Sequence, residues 1–318
     1  MSHPRFWDSL TTPFPWTRGS PSQQPFHVFS ETHQTWHAVK PTSKPPTTSD
    51  ADMSSFTVLS WNIDFMRILP NERMRAALDH LRQHVLNDNV ASESNSDNAH
   101  KIVMLNEMTD SDLQIIKSQD WIQQKFHLTD ISSENWDMAI TDVFRIHYTN
   151  TDMSRDALFV EVCLRGKNVR LCTTHLESLV AMPPLRPHQL AEAAEHLHNA
   201  DAGILGGDLN AIEGFDRNLH TLNNLKDAYL ETGQKEGAEE GMTWGQMAAT
   251  KSRKRHGLTR MDKILYCGDI RLQGFETFGM DVQVADEGDK QLLIEEEGLE
   301  KGWVTDHLGV KAGFLLVS

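Results

Sequence analysis

The chain has 318 residues, 39% of them hydrophobic, which is enough apolar material for one large α/β domain or two small ones. Its 45 acidic against 30 basic residues leave a formal net charge of −15, so no global positive field draws in a polyanion, and a nucleic-acid enzyme of this charge relies on a local basic groove and a metal. Three cysteines (Cys163, Cys172 and Cys267), an odd number without a C-x-x-C, argue against a disulfide framework or a structural zinc site and fit reduced core thiols.

No apolar run is long enough to span a bilayer and no signal peptide is evident, so the expected setting is intracellular, in the nucleus or cytoplasm, with a monomer as the default state. Residues 1–52 read as a partly disordered Pro/Ser/Thr-rich extension, as in Lys40-Pro41-Thr42-Ser43-Lys44-Pro45-Pro46. Trp7, Trp16, Trp36, Phe6, Phe14, Phe26 and Phe29 leave a second reading open: an arm packed onto the domain or onto a protein partner. The domain, 53–318, begins with a buried strand at Phe56-Thr57-Val58-Leu59-Ser60-Trp61. Residues 71–86 follow a helical period, with Met74, Ala77, Leu78, Leu81 and Val85 on one face and His80 and His84 on a solvated one.

Residues 87–100 read as a polar loop before a strand, Ile102-Val103-Met104-Leu105, that delivers Glu107. Later strands are expected at 157–164, 169–174, 203–206, 261–266 and 308–317, with helices at 110–117 and 187–199. A turn at Gly166-Lys167-Asn168 links two of the strands as a hairpin. Interspersed strands and helices with hairpin links predict an α/β fold with mixed sheets.

The chemistry sits where apolar runs end. Ser60-Trp61-Asn62, Leu105-Asn106-Glu107, Thr174-His175-Leu176-Glu177-Ser178, Gly206-Gly207-Asp208-Leu209-Asn210, Arg260-Met261-Asp262 and Thr305-Asp306-His307 all have this form. Glu107, Asp208, Asp262 and Asp306 brought together would repel one another without a cation. Mg²⁺, with Mn²⁺ as an alternative, takes such oxygen ligands. Asp208 and Asn210, two apart on an extended segment, point to the same side, so Asp208 can take a proton from water while Asn210 orients that water or the carboxylate. A positioned general base contributes typically ~10²–10⁴-fold in rate. His175 and His307 can donate to the non-bridging oxygens of a phosphate, with Asp262 holding one imidazole in the right tautomer. Neither a G-x-S-x-G nor a G-x-x-x-x-G-K-[ST] occurs, which leaves attack by metal-assisted water. The run Lys251-Ser252-Arg253-Lys254-Arg255-His256 is either one wall of a nucleic-acid path or a solvated loop. Glu295-Glu296-Glu297 reads as a solvated acidic loop.

From about Thr57 to Leu316 this ordered set resembles the endonuclease/exonuclease/phosphatase superfamily. Glu107 matches its metal-binding Glu, with Asn106 where Gln is usual. Asp208 and Asn210 match its G-D-x-N motif, Asp306 and His307 its S-D-H motif with Thr305 for Ser, and Asn62 its W-N motif. Trp61-Asn62-Ile63-Asp64, Met153-Ser154-Arg155, Arg186 with Gln189, Thr243-Trp244 and Arg260-Met261-Asp262-Lys263-Ile264-Leu265 look most like the tyrosyl-DNA phosphodiesterase branch. The resemblance implies a four-layer α/β sandwich of two mixed β-sheets packed face to face, as in deoxyribonuclease I. It implies a metal-dependent phosphodiesterase acting on DNA ends. Glu107 would hold Mg²⁺, helped by Asn62 and Asp306. Asp208 with Asn210 would activate water, and His307, His175 and Asp262 would stabilise the transition state. Arg260, Trp61 and Arg186 are then the expected substrate contacts. Two alternatives stand beside it: a hydrolase of RNA, nucleotide or lipid-headgroup phosphodiesters, and an inactive relative that binds nucleic acid or protein.

Overall fold

The computed structural model of the chain describes residues 16–41, 55–86, 100–129 and 139–317. In chain order its elements are β1 (Ser22–Gln23), β2 (Phe26–Ser30), β3 (Thr35–Val39), β4 (Ser55–Asn62), α1 (Pro70–Leu86), β5 (His100–Asn106), α2 (Asp110–Lys117), α3 (Asp120–Lys125), β6 (Ala139–His147), β7 (Asp156–Leu164), β8 (Lys167–His175), α4 (Arg186–Leu197), β9 (Ala202–Asp208), α5 (Leu219–Leu222), β10 (Lys226–Asp227), α6 (Ala228–Glu231), α7 (Thr250–His256), β11 (Asp262–Gly268), β12 (Ile270–Phe278), α8 (Glu287–Glu297) and β13 (Gly309–Leu316). One sheet has the order β1-β6-β7-β8-β9-β11-β10 and the other β12-β13-β4-β5. Both are mixed: β8 runs parallel to β9 and β4 parallel to β5, while the other neighbours are antiparallel.

Side-chain alternation along β4 shows why two such sheets stack. Phe56 and Val58 join the core between the sheets, with Val162 of β7, Ile204 of β9 and Ile264 of β11. Leu59 and Trp61, on the opposite face, join the core beneath α1, with Met74 and Leu78. β9 divides in the same way: Ala202 and Ile204 face the other sheet, and Leu205 faces Leu190 and Ala194 of α4. Each central strand is therefore covered on both faces, which explains its continuous apolar run. Each fully buried Leu, Ile, Val or Phe contributes about 1.5–3 kcal/mol. The result is the expected four-layer α/β sandwich.

The strands and helices expected from the sequence are present within a few residues of their anticipated ends, and four local readings change. The β7–β8 turn is Arg165-Gly166, one residue early, with φ of 49° and 77° that suit a tight two-residue hairpin. Glu295-Glu296-Glu297 is the last turn of α8, not a loop; the helix stops at Gly298 in the left-handed region (φ 68°). The basic run is the helix α7. His80 and His84 are half-buried rather than solvated; their Nε2 atoms lie 3.2 Å apart and both rings pack on Phe278. Strands β6 and β12 were not anticipated. The expected 87–100 loop lies outside the described residues except His100, which opens β5.

Residues 16–41, read as part of an extension, are built onto the domain. Strand β1 pairs with β6 at the edge of the larger sheet, and β2 and β3 form a hairpin. Phe26 packs against Val143 and Leu158, the Trp16 ring stacks on His147 at 4.0 Å, and Trp36 Nε1 donates to the Lys117 carbonyl at 3.3 Å. Residues 16–41 thus pack onto the domain. Trp7, Phe6 and Phe14 lie outside the described residues.

Candidate active site

The mixed topology gathers the polar residues. Parallel neighbours end together, so Asn62 is in register with Asn106, next to Glu107, and His175 is in register with Asp208. Antiparallel β11 starts where β9 ends, which sets Asp262 opposite Asp208. Antiparallel β13 starts where β4 ends, just after Thr305-Asp306-His307. All six sequence stretches therefore meet at one end of the sandwich. Gly207 makes this possible locally: a Cβ there would lie 1.8 Å from the Thr174 carbonyl oxygen, so only glycine lets β9 approach β8 this closely. As the chain turns out of its strands, Asp64, Glu107 and Asn210 take φ of 55°, 56° and 47°. Such non-glycine residues cost of order 1–3 kcal/mol each and cluster at functional sites.

Asp208 is the hub. Its Oδ2 accepts from Asn62 Nδ2 (3.1 Å) and its Oδ1 from the Asn210 N–H (2.8 Å). The Asp208 N–H donates to Asn106 Oδ1 (3.3 Å). Two imidazoles flank it, with His175 Nε2 at 3.5 Å and His307 Nε2 at 3.8 Å from Asp208 Oδ2. Burial opposes the Asp208 charge, but His307, His175 and these N–H donors outweigh it and hold the carboxyl below its ordinary value. Behind His307, Nδ1 donates to Asp262 Oδ2 at 2.8 Å. Burial disfavours a charged His307, yet Asp262, Asp208 and Asp306 hold it well above the ordinary imidazole range. His175 has the opposite surroundings. Burial lowers it to about 3, against the pull of Asp208 and with the help of Arg155 and His307. Burial, Asp208 and Asp64 push Glu107 up to about 7.

The structure brings Asn62, Glu107, His175, Asp208, Asn210, Asp262, Asp306 and His307 together. Asn210 acts on Asp208 through its backbone N–H, because its side-chain Nδ2 is engaged by the Leu176 carbonyl at 3.0 Å. Three expected substrate contacts have other partners. Trp61 is fully buried and donates to the His307 carbonyl at 3.0 Å, so it positions His307 and cannot stack on a strand end. Arg260 is buried in ion pairs with Asp227 (2.8 Å) and Glu236, over the Tyr229 ring. Arg186 makes a two-pronged pair with Asp216 (3.0 and 2.7 Å) and donates to the Glu177 carbonyl (3.0 Å), which steadies the turn after His175.

Other residues take places that sequence reasoning did not assign. Trp244 Nε1 donates to Asp306 Oδ2 at 2.8 Å. Arg67 Nε pairs with Asp64 at 2.8 Å, and its Nη2 lies 3.8 Å from Asp306. Buried Arg73 donates to the carbonyls of Ile63, Asp64, Arg67, Ile68 and Val304, which ties the segment after β4 to the segment before Thr305. The i,i+3 spacing of Asp64 and Arg67 was a visible signal. Arg73 carried none, since one arginine among the polar positions of α1 looks like any other.

A family model described as "Endonuclease/Exonuclease/phosphatase family" matches residues 59–307. The chain belongs to the Endonuclease/Exonuclease/phosphatase family. This family comprises hydrolytic phosphodiesterases and nucleases. Solved structures agree on the fold. D. rerio TDP2, complexed with single strand DNA product, has a TM-score of 0.60 at 18% identity over 82% of this chain and 99% of that one. Truncated Caenorhabditis elegans TDP2 has 0.55 at 20% identity over 82% and 97%. The human Nocturnin catalytic domain with bound sulfate anion has 0.52 at 16% identity over 83% and 96%. At these identities the likeness carries the fold alone. No curated protein sequence matches the chain.

The donor set of this family member fits a hard divalent cation. Possible ligand atoms of Glu107, His175 and Asp208 lie within 4.8 Å of one another, as do those of Asp208, Asp262 and His307. Oxygen donors dominate, and Glu107, raised first by burial, also has the negative neighbours Asp208 and Asp64. A cation is what reverses that repulsion.

Proposed function

We propose that the chain is a divalent-metal-dependent phosphodiesterase that hydrolyses a blocked 5′ DNA end, a phosphotyrosyl end being the preferred substrate. The observation that carries the reading is Asp208 flanked by two histidines at 3.5 and 3.8 Å with Asp262 behind one of them. Glu107 and Asp306 would hold Mg²⁺, with Asn62 beside them. When bound, the ion supplies positive charge at a phosphate oxygen and lowers the barrier to attack.

The chain's own residues do the rest. Asp208, its carboxylate oriented by Asn62 and the Asn210 N–H, accepts the proton of an attacking water as the new O–P bond forms. The bond from phosphorus to the leaving oxygen breaks in line, and a tyrosyl group departs as a phenolate, whose parent pKa near 10 makes it a good leaving group. His307, held by Asp262, and His175 donate to the non-bridging oxygens as charge develops there. The product is a 5′-phosphate.

The surface beside the site supports a nucleic-acid substrate. Lys251, Arg253, Lys254 and Arg255 of α7 are exposed and form no ion pair among the described residues, despite the acidic chain. At the end of α7, the His256 ring lies 6.2 Å from the Trp244 ring that holds Asp306. The test is hydrolysis of a 5′-phosphotyrosyl oligonucleotide with Mg²⁺ and with chelator, beside Asp208→Ala. Unmodified DNA, RNA and an abasic-site duplex run in parallel. Mg²⁺-dependent tyrosine release, cut by ~10²-fold or more in the variant, is the expected result. Cleavage of another substrate in place of the phosphotyrosyl one would overturn the substrate assignment. Turnover by Asp208→Ala near the wild-type rate would overturn the mechanism.

A further inference from the structure

His175 and His307 face the same carboxylate, yet opposite groups stand behind them. Behind His307 is a carboxylate, Asp262. Behind His175 is a guanidinium: Arg155 Nη1 lies 2.8 Å from His175 Nδ1. Arginine only donates and does not lose its proton in a protein. A hydrogen bond of this length therefore requires a lone pair on Nδ1, which leaves Nε2 as the ring nitrogen that carries hydrogen. Nε2 is the atom turned toward Asp208 and Glu107, at 3.5 and 3.6 Å.

The rest of the Arg155 environment shows how particular this contact is. Arg155 makes no ion pair with a carboxylate among the described residues, although Glu107, Asp208, Glu177 and Asp156 all act on it electrostatically. Its Nη2 reaches only the Met153 sulfur, at 3.8 Å, and its buried Nε has no partner. The backbone that delivers it is also committed. Ser154 takes φ 56°, and the Arg155 N–H donates to Thr151 Oγ1 at 2.9 Å. Thr151 Oγ1 in turn donates to Glu177 Oε2 at 2.9 Å, on the turn just after His175. One hydrogen-bonded unit thus holds the guanidinium and the segment that carries the imidazole.

We propose that Arg155 is a positioning residue that fixes the tautomer of His175, keeping Nδ1 bare and the proton on Nε2, where it can be donated to the phosphate. Without Arg155 no donor reserves the Nδ1 lone pair, and the single ring proton is free to sit on either nitrogen. Asp262 presents a carboxylate to the Nδ1–H of His307, and Arg155 presents a cation to the bare Nδ1 of His175. The two imidazoles then offer the phosphate one charged donor and one neutral donor.

The kinetic part of this inference rests on the phosphodiesterase reading; the spectroscopic part does not. The full chain, labelled with ¹⁵N at histidine, is studied near pH 7 by long-range ¹H–¹⁵N spectroscopy, with His175 assigned by its loss in His175→Gln. A bare ring nitrogen resonates well downfield of a protonated one. Wild-type protein and Arg155→Lys, which keeps a donor-only cation, are expected to show a bare Nδ1 and a protonated Nε2. Arg155→Met is expected to gain a proton at Nδ1. On a substrate that the wild type hydrolyses, Arg155→Met should lose ~10²-fold in kcat, with Arg155→Lys recovering most of it. A wild-type His175 protonated at Nδ1 overturns the proposal, and that result needs no variant to fold. An Nδ1 still bare in folded Arg155→Met overturns it as well. A loss seen in KM with unchanged ring signals does the same, by assigning the guanidinium to substrate binding. If no phosphodiester is hydrolysed by any form, the functional reading fails and the ring signals still decide this one.

Discussion

Replacing Arg73 with methionine tests the claim that one buried side chain holds the site's two halves together. Arg73 is 1% exposed, and all five of its N–H groups are used. Methionine has nearly the same length and no donor. The Ile68 and Asp64 acceptors are in part-buried bonds, so water can replace the guanidinium there. The Ile63, Val304 and Arg67 carbonyls are bonded in buried positions, at 2.7, 2.7 and 3.1 Å. An unsatisfied buried acceptor costs ~1–3 kcal/mol, so these three alone set a range of ~3–9 kcal/mol. Against this, methionine removes the cost of burying a cation, which is of order several kcal/mol. Burial already disfavours the Arg73 charge, with Asp64 acting against that. With the carbonyl cost taken toward its upper end and the relief subtracted, the expected net loss is about 3–5 kcal/mol. At about 2 °C per kcal/mol for a domain of this size, Tm falls by roughly 6–10 °C, measured by circular dichroism or calorimetry. Urea unfolding should give the same loss. A variant within about 2 °C of wild type would refute the reasoning, because three stranded carbonyls cannot be neutral unless the segments separate without consequence.

Asp262→Asn keeps the size of the side chain but removes the carboxylate from His307 Nδ1, so turnover of any substrate should fall by at least ~10²-fold with an unchanged far-ultraviolet spectrum; wild-type turnover would remove Asp262 from the site. His80, lowered from 6.5 to about 4 mainly by burial and also by His84, makes the unfolded chain the better proton binder between those values. Its contribution to stability is complete above pH 6.5 and is lost as pH falls toward 4, so Tm should decline over that window less steeply in His80→Gln than in wild type. An identical decline in both proteins would contradict the assignment. Changing Lys251, Arg253, Lys254 and Arg255 to Gln should flatten the salt dependence of single-strand binding by roughly 0.7 per lost contact in a log–log plot, up to about 3 for four. An unaltered slope would mean that α7 is a solvated face.

Much of the architecture was legible because it depends on local pattern. Strand β4 is apolar along its length and α1 keeps its period, since each has a covered surface that demands apolar residues at fixed intervals. Strand β12, which was missed, lacks that signature for physical reasons. Strand β12 lies at an edge of its sheet with only its ends buried, and a register irregularity interrupts it between Leu272 and Gly274. The N-terminal arm was ambiguous because its aromatics become buried only against β6, β7 and other distant segments. The basic run was ambiguous because α7 has no buried face to impose a period.

The candidate site divides along the same line. The sequence by itself determined the chemical types: Asn62, Glu107, His175, Asp208, Asn210, Asp262, Asp306 and His307 each follow or precede an apolar strand, and strand ends are where polar side chains reach solvent. The tertiary structure alone decided their partners. Trp61 and Arg260 sit in the same kind of motif as Asn62 and Asp262, yet one is closed off behind the His307 carbonyl and the other is bound by Asp227 and Glu236. Arg155 was legible only as the end of Met153-Ser154-Arg155, with no role attached, and Arg73 gave no reason to be singled out; they now stand against His175 Nδ1 and five carbonyls. A side chain's type can be read where it stands in the chain. Its deciding partner can come from a distant segment, 20 positions away in the Arg155–His175 contact and 231 in the Arg73–Val304 contact, and only the pairing of the strands brings these together.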